Sequence, residues 1–110
     1  MSRTANLVQT KGLISMRVRR STLQTLRRIA DETGEYMWGM MRRLIEQEAN
    51  GPIQNRHSQE KRPAEPLSTI WIKVTTRSGL RTRARQTRER LVDLIERLAQ
   101  QELHRLRLSD

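Results

Sequence analysis

Residues 13 to 19 alternate: Ile14, Met16 and Val18 fall on one side, and Leu13, Ser15, Arg17 and Arg19 on the other. A period of two marks a short strand with one face buried. The period then becomes helical. Leu23, Leu26, Ile29 and Ala30 line one face, and Ser21-Thr22-Leu23-Gln24 has the Ser-x-x-Gln form of a capping box. Asp31-Glu32-Thr33-Gly34 stops this helix, with Gly34 supplying the left-handed residue that closes a helix C-terminus. Met37, Met40, Met41, Leu44 and Ile45 make a second amphipathic stripe, ending at Asn50-Gly51-Pro52.

From Asn50 to Pro66 the chain holds three prolines, polar residues and charges, with Ile53 the only large apolar residue, so a linker is expected there. The pattern then restarts. Ile70, Ile72 and Val74 alternate with Thr69, Trp71, Lys73 and Thr75 as a second strand, and Leu91, Leu94, Ile95, Leu98 and Ala99 repeat the stripe of the earlier second helix. Met16-Arg17-Val18 overlays Ile72-Lys73-Val74 at an offset of 56, whereas Met37, Met40, Met41 and Leu44 overlay Leu91, Leu94, Ile95 and Leu98 at an offset of 54. Two residues are thus missing between strand and helix in the second copy. Between Ser78 and Gln86 only Leu80 and Ala84 are apolar and no glycine marks a turn beyond them. Leu80, Ala84, Thr87, Leu91, Leu94 and Leu98 also form a heptad seam, so residues 78–107 read either as two helices or as one. The restart of a strand favours two, because a strand before a lone coiled coil has no pairing partner. The expected organisation is a basic arm over 1–12, one unit over 13–50, a linker over 51–67 and a second, degenerate unit over 68–108.

The chain has 110 residues, too few for a large enzyme scaffold. Lys and Arg number 22 against 12 Asp and Glu, a formal charge of +10, which points to a polyanionic partner. With 35% hydrophobic residues and a mean hydropathy of -0.81, a core is hard to build unless two units share it. The absence of cysteine excludes disulfides and thiolate zinc sites. Apolar runs are far too short for a membrane span, and the first residues do not resemble a signal peptide, so a cytoplasmic protein without a membrane partner is expected. One Tyr, two Trp and no Phe are a poor supply for stacking platforms, which favours duplex over single-stranded nucleic acid.

Strand, helix, glycine turn and helix on a basic chain resembles the ribbon-helix-helix (Arc/MetJ) family of DNA-binding proteins. The resemblance is closest over residues 13–50, through Ile14, Met16 and Val18, then Leu23, Leu26, Ile29 and Ala30, then Gly34, then Met37, Met40, Met41, Leu44 and Ile45. Over residues 69–107 it is partial, and the whole chain is similar to the TraY-like conjugation proteins that carry two such units. The resemblance implies a mostly α fold with a short two-stranded antiparallel β-ribbon, a tandem ribbon-helix-helix pseudo-dimer, with one ribbon face in the DNA major groove and the other on the helices. Ser15, Arg17, Arg19, Thr69, Trp71, Lys73 and Thr75 would then face the bases. Arg17 and Lys73 would occupy equivalent central positions suited to guanine, and Trp71 would either meet a thymine methyl or pack against the arm or linker.

Phosphate contacts are expected from Lys11, Arg20, Arg77, Arg81, Arg83, Arg85, Arg88 and Arg90, the last six forming the densest charge run in the chain. Family members set the N-terminus of the second helix against the DNA backbone. Here Glu35-Tyr36 stands where a small hydroxyl residue is common, and the acid opposes that contact in the first unit. The methionine stripe reads as core, and His57 and His104 as surface residues without metal-ligand spacing. No nucleophile has a base beside it, and the phosphate-loop and dinucleotide signatures are absent. Neither enzymatic activity nor a cofactor is expected. A transcriptional repressor is the leading reading. The others are a relaxosome accessory protein at a conjugative transfer origin, with a relaxase partner, and an antitoxin whose C-terminal segment wraps a toxin. A ribbon formed within one chain implies an asymmetric DNA site; self-association through residues 13–50 implies a palindrome.

Overall fold

A computed structural model describes residues 12–56 and 64–108. The order is β1 (Leu13–Arg19), α1 (Arg20–Thr33), α2 (Met37–Ala49), β2 (Leu67–Lys73), α3 (Val74–Thr87) and α4 (Leu91–Arg105). β1 and β2 pair antiparallel, with Met16 opposite Ile70 at the centre, and make the two-stranded sheet. Such a ribbon is marginal alone. It is held because one face is fully apolar: Met16, Val18, Ile70 and Ile72 are buried against Leu26, Ile29, Met40, Met41, Leu80, Leu94 and Ile95, so both halves of the chain share one core. His104 is exposed, and the proposed arm, including Lys11, lies outside the described residues apart from Gly12, as does His57.

The strand–helix–helix order occurs twice, and every element of the second set begins 54 residues after its counterpart. The offset of 56 for the strands is therefore wrong. β2 spans Leu67–Lys73 rather than residues 69–75, and Val74 opens α3, half-exposed instead of turned inward. No residues are missing: Met16 corresponds to Ile70, Val18 to Ile72, Arg17 to Trp71, and Arg19 to Lys73. Ile70-Ile72-Val74 looked like a continuing strand because alternation alone does not show where a strand ends.

Residues 78–107 are two helices. The break falls at Arg88, which adopts φ 59° in the left-handed region where the first copy has Gly34 at φ 73°. A non-glycine residue tolerates this at some cost, so the turn survives without its usual sequence mark. The capping box is absent from α1, since the helix starts at Arg20 with no side-chain cap from Arg19. Instead, the Ser21 backbone N–H donates to Glu65 Oε2 at 2.7 Å, where a carboxylate also suits the positive end of the helix dipole.

Two matching ion clusters tie the halves together. Arg43 donates to Glu35 from Nε at 2.9 Å and Nη2 at 2.6 Å, and from Nη1 to Glu102 at 2.6 Å. Fifty-four residues on, Arg97 does the same with Glu89, at 3.0 and 2.8 Å, and with Glu48, at 3.1 and 2.9 Å. Thr33 and Thr87 each donate to the glutamate of their own cluster at 2.7 Å. Each cluster joins helices from both halves, which fixes how the halves meet. The hydrogen bond from Arg43 holds Glu35 below its ordinary pKa. At Glu48 burial pushes upward, but Arg97 and Arg83 together outweigh it and the net shift is down.

Candidate nucleic-acid interface

With Met16, Val18, Ile70 and Ile72 turned into the core, strand alternation sends the other set of side chains outward. Ser15, Arg17, Thr69 and Trp71 are exposed there, in the cross-strand pairs Ser15–Trp71 and Arg17–Thr69. In the 54-residue repeat the two hydroxyl residues correspond, whereas Arg17 corresponds to Trp71. The face thus repeats its small residues and differs in its large ones.

The remaining expected base contacts are elsewhere. Arg19 is only 12% exposed in its side chain and bonds Asp93 of α4 at 2.6 Å. Lys73, its counterpart, is half-buried and places Nζ 4.8 Å from the Trp38 ring centroid, a cation–π distance. Both lie at strand ends, so Lys73 is not the equivalent of Arg17. Thr75 is not on the ribbon at all, because α3 has begun. Trp71 is 52% exposed and is not buried under the linker.

The arginine run divides in the same way. Arg81, Arg85 and Arg88 are exposed along α3 and its turn, as are Arg20 and Arg90, and Arg77 is half-buried. Arg83 does not reach the surface: 4% exposed, it donates to Glu48 at 2.9 Å and to the Pro52 carbonyl at 2.7 Å. It occupies the position that Ile29 has in the first copy, so it faces the interior and anchors the chain after α2. Glu35, the acid expected to repel phosphate at the start of α2, is instead engaged by Arg43 and Thr33.

One feature had no mark in the sequence. Tyr36 and Trp38 stack with ring centroids 6.1 Å apart and planes 5° from parallel, and Trp71 joins them along a groove of about 550 Å³. All three aromatic residues of the chain therefore lie at one end of the ribbon. The equivalent positions at the other end are Arg90, Val92 and Arg17.

No protein-family model matches the chain, and neither does any curated protein or solved structure. Among the described residues no helix is long and apolar enough to cross a membrane.

Proposed function

We propose that this chain is a sequence-specific double-stranded DNA-binding protein of the ribbon-helix-helix kind, two units in one chain, that reads the major groove with β1 and β2. The observation that carries the reading is the ribbon itself: one face is core, and the other presents Ser15, Arg17, Thr69 and Trp71 to solvent. The major groove of B-DNA is about 12 Å wide and admits a two-stranded ribbon. Arg17 has the fork geometry for guanine O6 and N7, the hydroxyls of Ser15 and Thr69 serve either base type, and Trp71 offers apolar contact to a thymine methyl. Arg20, Arg81, Arg85 and Arg88 supply exposed positive charge for the backbone.

The proposed use is repression by occupying an operator, which needs nothing beyond this face. The same face would serve at a conjugative transfer origin. The antitoxin reading is disfavoured, because residues from α3 and α4 build the common core instead of forming a separate toxin-binding tail. Selection from random duplexes, combined with the mass in solution, tests the reading. The expected result is a single chain of 13.0 kDa and an asymmetric consensus with guanine in one half. A palindromic consensus bound by a twofold-symmetric dimer would overturn the intrachain ribbon.

A further inference from the structure

We infer that the aromatic groove at the end of the ribbon binds an unpaired nucleotide of the same DNA, its base stacked on exposed Tyr36 and Trp71 and its phosphate drawn toward Arg27. The inference rests on the DNA-binding reading and adds to it a preference for duplex flanked by an unpaired strand.

Three observations favour this occupant. The only aromatic side chains in 110 residues converge here from β2 and the start of α2, with Tyr36 71% and Trp71 52% exposed. Every base offers a π-face to such a surface whatever its sequence. Among the described residues the charged ones lining the groove are Arg27 and Lys73, with no carboxylate, so the charge suits a flat anionic group and opposes a cation. Thr69 and Trp71 belong both to the groove and to the outward face of the ribbon, so a strand leaving the duplex passes directly from one to the other. The opposite end, with arginines in the corresponding places, has no such platform and suits paired backbone.

Both tryptophans of the chain lie in the groove and Trp71 also faces the duplex, so the difference in tryptophan emission between overhung and blunt duplexes reports occupancy of the groove. The full chain is titrated with a blunt duplex, the same duplex extended by a short oligothymidine overhang, and the oligothymidine alone, following emission and affinity at one salt concentration. The overhang is expected to tighten binding about tenfold, the effect of one stacked base, and to quench emission more than the blunt duplex does. Tyr36→Ala should remove that gain without changing affinity for the blunt duplex, and Tyr36→Phe should restore it. Equal affinity for the two duplexes, or a Tyr36→Ala loss of equal size on both, would overturn the inference. Failure of the blunt duplex to bind, with the overhang and oligothymidine still quenching, would instead strike the duplex reading.

Discussion

The two ends of the ribbon share a frame and differ in finish. Leu26 and Leu80 fill corresponding core places, and Arg43 and Arg97 bind corresponding glutamates. Nearer the surface, Tyr36, Trp38 and Trp71 at one end correspond to Arg90, Val92 and Arg17 at the other. Close-packed interiors resist change because a lost methylene is felt throughout, whereas most surface substitutions cost little. The repeated positions therefore carry the fold. Among the divergent ones, exposed Arg17 and Trp71 make the proposed reading face asymmetric, and a pair of identical ends would not tell one direction along DNA from the other.

The ion clusters are where the two halves should differ most in stability. Glu48→Ala takes the shared carboxylate from Arg83 and Arg97, whose side chains are 5% and 15% exposed, and leaves them chiefly the Pro52 carbonyl and Glu89, which should cost about 3 kcal/mol by urea denaturation. Glu102→Ala releases Arg43 and Arg105, which reach water more readily, and should cost about 1 kcal/mol. Equal losses would erase that difference. The hydrophobic frame, by contrast, should respond equally: Leu26→Ala and Leu80→Ala are each expected to cost about 2–5 kcal/mol in the same assay, and a much cheaper Leu80→Ala would show that the second copy is loosely packed.

DNA binding should show the surface asymmetry. Replacing Arg81, Arg85 and Arg88 together with alanine should weaken binding to every sequence and reduce the salt slope by about 2.7, at roughly 0.9 per phosphate contact. Their counterparts are Arg27, Asp31 and Gly34, so Arg27→Ala should reduce it by about 0.9 only. Titrations at several salt concentrations distinguish the two.

Acid should affect both ends together and least of all. Glu35, Glu48 and Glu102 all have pKa values lowered from the ordinary 4.5. Their contribution is complete above that value and is lost as pH falls through the lower folded values. Stability followed by denaturation should hold steady from neutral pH to about 5 and decline below. A decline already complete at pH 6 would assign the loss to other groups.

Much of the frame was legible. Alternation located β1, the stripes located α2 and α4, and Gly34 marked the first turn. Errors arose where one residue type served an unusual place: Val74 extends an alternation but starts a helix, and Arg88 does the work of a glycine. Arg83 sat in a run of arginines that reads as solvated, yet a uniform offset of 54 places it on Ile29 and gives its burial away. The aromatic groove left no local pattern, because Tyr36 and Trp71 come to line it only when α2 packs on β2 from a distant segment. The Arg19–Asp93 bond was hidden for the same reason.

Methylation interference at guanine N7 on the selected duplex addresses most directly whether the outward ribbon face reads the major groove with unequal halves. Methylation of a guanine in one half alone should block the natural chain and have no further effect on Arg17→Ala. Interference that is symmetric, confined to the minor groove, or unchanged in Arg17→Ala would contradict the account.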